Sequence, residues 1–271
     1  AQRLNPKRLH YQDLVGYLSG QTGAPLPEVS GPAAEWLEQA EGLLVRERPE
    51  RALACYRRAV EADPENPTLL ISYALVCLQL NRSRETEAVT RKVLALEPGE
   101  MLKATACATL IESLRSEGRY REGNRVGRRL LDEGTSDFAK TIAYYEMACN
   151  MAEMEEELDR ALEYAKCSLD LAPDELRQFP LAALGWVHYK RKEFDQAVDF
   201  LARSSELGPS ATTLTHLGMA LLASGSKQRA RTVLARARAM EDRGASVEQT
   251  MMECLKASNR LYERVQRRRK K

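Results

Sequence analysis

The sequence predicts an all-α fold, an α-solenoid that stacks about six helix-turn-helix repeats. Three observations lead to this prediction: prolines that recur at a near-constant spacing, short polar turns between apolar runs, and small residues that follow those turns. Because one such helix pair cannot bury its apolar stripe alone, neighbouring pairs are expected to stack and share a continuous core.

The recurring prolines are Pro64, Pro98, Pro173 and Pro209. The first two are 34 residues apart and the last two are 36 residues apart. The 75 residues between Pro98 and Pro173 leave room for two more units. Each proline follows an amphipathic run, so it is expected to end one helix and begin the turn into the next.

A second pattern places a short polar turn inside each unit, between two apolar helices. Gly118 and Gly225 lie in such turns, where glycine gives the backbone the freedom to reverse its direction. A small residue after the turn lets the two helices approach closely as an antiparallel pair. The small residues at these places are Ala52, Gly123, Ala161, Ala197 and Ala230.

These residues resemble the tetratricopeptide repeat family, whose unit combines a Leu-Gly pair, aromatic and Ala positions and a closing Pro. The fifth unit matches best, with Leu184, Gly185, Phe194, Ala197 and Pro209. The resemblance implies a right-handed superhelical α-solenoid. The units are predicted at 33–66, 67–100, 104–137, 142–175, 178–210 and 211–244.

Two segments flank the predicted repeats. Residues 1–32 are expected to form a non-repeat leader, with one short helix at 9–18 and a linker rich in Gly and Pro. Residues 245–271 are expected to form a capping helix and a basic tail, because apolar side chains recur at helical spacing over 246–266.

Composition and motifs argue against several functional classes. The formal net charge is +2, so charge alone gives no case for a nucleic-acid-binding protein. The six cysteines form no metal-binding pair, and none of the three histidines has a second ligand nearby in sequence. We therefore predict no metal and no cofactor. Because nucleotide-binding, metalloprotease and hydrolase motifs are also missing, we predict that the chain is not an enzyme.

The six thiols lie within helical patterns beside apolar residues, which is typical of small buried cysteines in a reducing compartment. No run of apolar residues is long enough to span a membrane, and the first residues do not resemble a signal peptide. The sequence therefore predicts a cytoplasmic location.

In the tetratricopeptide repeat family, the first helix of each unit lines a concave groove that binds peptides or helices of other proteins. The resemblance therefore implies a scaffold or adaptor, such as a co-chaperone, that binds an amphipathic helix or apolar peptide in support of complex assembly. By register, the predicted groove residues are Ile71, Leu75, Leu78, Glu112, Arg115, Met147, Asn150, Met154, Phe179, Trp186, Tyr189, Lys190, His216 and Met219.

Two alternatives stay open at this groove. A register shift of one residue would turn Trp186 and Tyr189 from the groove into the core. Asn150 is the polar groove residue of most interest, because its amide can both donate to and accept from a ligand backbone. The positions that carry Lys, Asn and Arg in the family's carboxylate clamp are apolar or acidic here, so that clamp is not predicted.

The C-terminal end of the chain is rich in basic residues. This gives the first alternative function, in which the basic end contacts an acidic partner, nucleic acid or an anionic membrane. Contact with nucleic acid or a membrane is the less favoured form of this alternative. The second alternative is self-association, in which solenoids assemble with copies of themselves. The predicted basic patch consists of Arg229, Arg231, Arg236, Arg238, Arg267, Arg268, Arg269, Lys270 and Lys271.

Overall fold

The computed structural model describes residue 29 and residues 31–46, 48–134 and 136–241. These residues form twelve α-helices and one short 3-10 helix, and they contain no β-strand. The predicted all-α class is confirmed. The predicted leader helix at 9–18, the capping helix at 246–266 and the tail at 267–271 lie outside the described residues.

The helices follow one another through short connections, and the 3-10 helix Asp174–Leu176 precedes the ninth. Their bounds are α1 Gly31–Val45, α2 Pro49–Ala62, α3 Pro67–Gln79, α4 Ser83–Ala95, α5 Glu100–Ser116, α6 Tyr120–Glu133, α7 Asp137–Met154, α8 Leu158–Leu171, α9 Gln178–Lys190, α10 Phe194–Leu207, α11 Ala211–Ala223 and α12 Lys227–Glu241.

The connections between helix pairs contain the recurring prolines and several N-caps. The side chain of Asn66 accepts hydrogen bonds from the backbone N–H groups of Thr68 and Leu69, at 3.2 and 3.1 Å, and so caps α3. Ser136 caps α7 in the same way, which starts this helix at Asp137 rather than near 142. The exact division into six units stays a prediction.

The turns within five of the helix pairs share one backbone conformation. Each places a residue with positive φ after its first helix: Asn81, Gly118, Glu155, Lys192 and Gly225. Each turn is also closed by a backbone hydrogen bond that spans five residues, such as Glu193 N–H to His188 O at 2.9 Å. This pattern is typical of a helix that ends at a left-handed residue. Gly118 and Gly225, the two glycines predicted in turns, therefore have the positive φ that these turns require.

The helices of a pair approach closely where small residues face each other. Ala52, Ala161, Ala197 and Ala230 are fully buried, as the turn pattern predicts. A Cβ atom on Gly185 would lie 2.5 Å from Cγ of Leu201 and 3.0 Å from its backbone nitrogen. Because no side chain fits there, the glycine of the predicted Leu-Gly pair allows α9 to contact α10 directly.

Contacts within the described residues divide them into two compact units, the first ending at Ser113 and the second beginning at Leu114. In the first unit, α1, α2 and α3 share a core around Leu37, Leu53, Tyr56 and Leu69. In the second unit, apolar side chains of α7 to α12 form connected core clusters, with Leu201 among the fully buried residues.

Candidate partner-binding face

Three first helices of the second unit, α7, α9 and α11, lie side by side and share contacts across one face. Rings of Tyr145 on α7 and Phe179 on α9 meet edge to face, with centroids 5.8 Å apart. Further along the same helices, Trp186 bridges to Glu153 on α7 and to His216 on α11. The face is therefore continuous across three helices.

Trp186 is the centre of a stack of rings. Its ring is nearly parallel to that of Tyr189, with centroids 4.9 Å apart, and to that of His216, with centroids 3.7 Å apart. Its Nε1–H donates a hydrogen bond of 2.8 Å to Oε1 of Glu153. Trp186 is 7% exposed, so it forms the floor of this face rather than a free anchor.

Four half-buried side chains surround Trp186 and are called here the aromatic rim: Tyr189, Lys190, His216 and Met219. Lys190 places its Nζ 5.0 Å from the centre of the Trp186 ring and 3.0 Å from Oε1 of Glu155. Burial, and next the charge of Lys190, lower the pKa of His216 to about 4. The imidazole in this rim is therefore neutral at physiological pH.

A polar network lies beside the rim, within the second unit. Arg115 donates through Nε to Oδ1 of Asn150 at 2.7 Å and pairs through Nη2 with the buried carboxylate of Glu146. Asn150 in turn donates through Nδ2 to Oδ1 of Asn124 at 3.1 Å and to the carbonyl oxygen of Tyr120 at 3.4 Å. Burial raises the pKa of Glu146, although Arg115 acts in the opposite direction.

This network corrects the interpretation of Asn150 as a ligand-binding amide. The side chain is fully buried, and both its donor and its acceptor are already satisfied by protein groups. Asn150 therefore orients Arg115 and links α5, α6 and α7. The pairing with Asn124 was missed, because nothing in the sequence relates two asparagines that are 26 residues apart on different helices.

Two further predicted groove residues are not accessible. Ile71 and Met147 are fully buried, so their interpretation as partner-binding residues is wrong. Trp186 is nearly as buried, which favours the inward alternative for this residue, whereas Tyr189 is half-exposed beside it. The remaining predicted groove residues are half-buried: Leu75, Leu78, Glu112, Arg115, Met154, Phe179, Lys190, His216 and Met219.

The first unit contains a polar cluster that sequence reasoning missed. Arg57 on α2 binds both carboxylate oxygens of Glu85 on α4, at 2.9 Å each, and donates to the hydroxyl of Tyr73 on α3 at 3.1 Å. Hydrogen bonds from Arg57 lower the pKa of Glu85, and burial raises the pKa of Tyr73. The cluster joins three helices and therefore has a structural role.

The predicted basic patch is partly described. Arg229, Arg231, Arg236 and Arg238 are all exposed on α12, whereas Arg267 to Lys271 lie outside the described residues. The described residues hold no group of three or more His, Cys, Asp and Glu side chains suited to a metal ion. Nor does any helix among them have the length and apolarity that crossing a membrane requires.

Comparison with known proteins agrees with the helix-pair architecture. Residues 37–99 match the family model of the tetratricopeptide repeat. This stretch carries the tetratricopeptide repeat. Over 132 residues this repeat chain is 24% identical to the human protein IFIT1 homolog B. That match covers 46% of the repeat chain and 26% of the relative, so it spans about a quarter of the relative's length.

Solved structures extend the likeness beyond the family match. PilW, a type IV pilus biogenesis factor, aligns with a TM-score of 0.56 and 17% identity over 78% of the repeat chain and 94% of its own. A human IFIT1 dimer with PPP-AAAA aligns with a TM-score of 0.58 and 19% identity. This alignment covers 84% of the repeat chain and 55% of the IFIT1 chain. The tetratricopeptide-repeat solenoid class is confirmed. Proteins of this family generally act as non-enzymatic scaffolds for protein interactions.

Proposed function

We propose that this repeat chain is a non-enzymatic scaffold that binds an apolar or amphipathic helical segment of a partner protein across α7, α9 and α11. The aromatic rim around Trp186 is the observation that supports this proposal. Aromatic and Met side chains are frequent anchors of binding energy, because they bury large areas and adapt to a partner's shape. Leu222 on α11 is 47% exposed and adds apolar surface to the same helix as Met219.

The charges near the rim favour an apolar segment over an anionic ligand. Lys190 is paired with Glu155, and Arg115 is paired with Glu146. Since both cations are already neutralised, a phosphate group would have to displace a carboxylate to bind either of them. A partner side chain that covers Tyr189 or Met219 meets no such cost.

A selected peptide provides the first test of this proposal. Twenty-residue peptides are selected from a display library against the full chain, and their affinities are measured by fluorescence anisotropy. We expect the Tyr189→Ser/Met219→Ser variant to bind the selected peptides about tenfold more weakly, because it removes two apolar anchors. Leu207→Ser is the matched control, since Leu207 is an exposed apolar residue on α10, outside the face formed by α7, α9 and α11.

Two outcomes would overturn the proposal. In the first, the selected peptides bind the rim variant and wild type equally, which would place the binding surface elsewhere. In the second, no peptide is selected, but PPP-AAAA binds and loses affinity steeply with salt. That result would favour a nucleic-acid ligand like the one in the human IFIT1 structure.

The finer features of this proposal concern cellular context. A role in complex assembly, including a co-chaperone role, and a cytoplasmic location both stay predictions. Self-association also stays an alternative function, and light scattering after gel filtration tests it. A molar mass that rises with concentration would favour it, whereas a constant mass of 30.5 kDa would exclude it over the range measured.

A further inference from the structure

The outer side of α12 carries a concentration of positive charge. Five of its fifteen residues are basic, its first turn contains no acidic residue, and Glu241 is its only acid. The four arginines, Arg229, Arg231, Arg236 and Arg238, are exposed, and none forms an ion pair within the described part of the chain. Some arginines elsewhere on the repeat chain do pair with glutamates, among them Arg121 and Arg160.

These arginines flank a neutral stripe, called here the seam: Gln228, Thr232, Ala235 and Ala239. Its members follow one another at spacings of four, three and four residues, the spacing of core positions in a coiled coil. The first three are exposed and Ala239 is half-buried, while Ala230 and Ala237 face the protein interior on the opposite side of α12. The seam is therefore available along the outer side of the helix.

All four arginines occupy the positions that flank such a seam. Arg229 and Arg236 lie on one side of it, and Arg231 and Arg238 lie on the other. These are the e and g positions of a heptad, whose charges decide which partner helix can pair and in which register. The two rows are about 160° apart around the helix axis, and residues within a row are about 10 Å apart along it.

We propose that α12 docks an acidic helix of a partner protein, which lies along the seam with glutamates or aspartates facing both rows of arginines. The small side chain of Ala235 lets the partner's larger apolar residues approach the backbone. A single nucleic-acid strand follows one track of charge, and so it would match only one row. A second copy of α12 would place arginine against arginine, which disfavours self-pairing through this face.

This surface is separate from the aromatic rim, so it adds a second attachment point to the proposed scaffold. One partner segment binds across α7, α9 and α11, and a different, acidic one binds α12. Failure of either proposal leaves the other intact, because the rim variant Tyr189→Ser/Met219→Ser does not touch α12.

The test uses the full chain and three synthetic 21-residue peptides, with anisotropy and circular dichroism as readouts. The first peptide has Leu at heptad a and d positions and Glu at e and g, the second has Lys at e and g, and the third is a scramble of the first. We expect the Glu heptad peptide to gain helicity and to bind about tenfold more tightly than its scramble. The Lys peptide is expected not to bind.

Two variants of α12 separate the charge of the flanking arginines from the shape of the seam. Reversal of the four arginines, R229E/R231E/R236E/R238E, should exchange the preference from the Glu to the Lys peptide. Ala235→Trp should weaken the Glu peptide about tenfold without changing any charge, because the indole holds a helix away from the seam. A control with the same change in charge reverses four exposed residues elsewhere: R51E/R84E/R128E/K166E.

The proposal is overturned if the scrambled peptide binds as tightly as the heptad peptide, or if the control reversal has the same effect as the reversal of the four arginines on α12. It is also overturned if single-stranded poly(U) competes fully and Ala235→Trp leaves both ligands unaffected. That pattern would mean that the arginines bind phosphate and that the seam has no part in binding.

Discussion

The indole Nε1–H of Trp186 on α9 donates to the carboxylate of Glu153 on α7, and this hydrogen bond fixes the orientation of the most buried ring of the candidate face. An indole has one donor and no acceptor, so a buried Nε1–H without a partner is costly. Glu153 thereby holds the Trp186 ring parallel to Tyr189 and His216, which leaves their outer edges for a partner.

Removal of this hydrogen bond is expected to weaken the second unit. Glu153→Ala should lower the free energy of unfolding in urea by about 1–2 kcal/mol, because a buried donor loses its charged acceptor. Trp36→Phe in the same background leaves Trp186 as the single tryptophan, so its emission reports on this site. Glu153→Gln keeps a side-chain oxygen that can accept the hydrogen bond, so it should lower the free energy of unfolding less than Glu153→Ala does. Equal losses for the two variants would contradict the hydrogen-bond explanation.

The buried pair Arg115 and Glu146 gives an asymmetric prediction. Arg115→Met should destabilise the chain by about 3–5 kcal/mol, because it leaves the Glu146 carboxyl buried without a cation. Adding Glu146→Gln to that variant should restore part of the loss. Urea unfolding followed by circular dichroism measures both effects. A double variant less stable than Arg115→Met alone would show that charge burial is not the dominant cost.

His216 makes stability depend on pH. Its pKa of about 4 in the folded chain lies below the usual value near 6.5, so the unfolded chain binds more protons between these two pH values. The contribution of neutral His216 to the free energy of unfolding is therefore complete above pH 6.5. As the pH falls towards about 4, this contribution is lost, and the free energy of unfolding decreases by up to about 3 kcal/mol. His216→Phe keeps a ring beside Trp186 and should flatten this dependence. An unchanged slope in the variant would assign the effect to other groups.

Lys192 occupies a turn position that favours glycine. Its φ of 64° lies in the left-handed region, which costs about 1 kcal/mol for a residue with a Cβ atom. Lys192→Gly should therefore raise the stability of the chain by up to that amount, as measured by urea unfolding. Lys166→Gly is the matched control on exposed, regular helix, where the same replacement should be destabilising by about 1 kcal/mol.

Alanine replacements of two helical glycines should have opposite signs. Gly185→Ala places a Cβ atom against the backbone of α10 and should cost about 2–3 kcal/mol, since the backbone cannot move aside easily. Gly42→Ala lies in α1 with open space around it and should stabilise by about 0.5–1 kcal/mol. Thermal unfolding of the two variants measures the difference. Two changes of the same sign would be inconsistent with the packing at Gly185.

The helix pairs and their order were predictable because the second helices are amphipathic. In α2, for example, the buried residues Ala52, Tyr56 and Ala59 recur at helical spacing against exposed arginines. Such a pattern has a clear phase, and the prolines and glycines mark where it stops. The tendency of Tyr189, His216 and Met219 to lie on one face followed from the same register.

The buried groove residues were not predictable for the opposite reason. Nine of the 13 residues of α3 are buried, so its apolar pattern extends around the whole helix and does not indicate an exposed side. For this reason the sequence placed Ile71 in the groove although it is buried. The same holds for Met147, since its helix α7 also has nine buried residues. The pairing of Arg115 with Glu146 depends on how different helices meet, which the order of residues along the chain does not specify.

Within the described residues, Gly185 and Gly218 each lie where a Cβ atom would meet a leucine of the following helix, and they are 33 residues apart. An in-frame deletion of 33 codons between them would join the first half of α9 to the second half of α11. The fused helix would then meet Leu234 on α12 through a glycine in the same place. Such a deletion shortens the chain by one helix pair and keeps the contact that pairing requires.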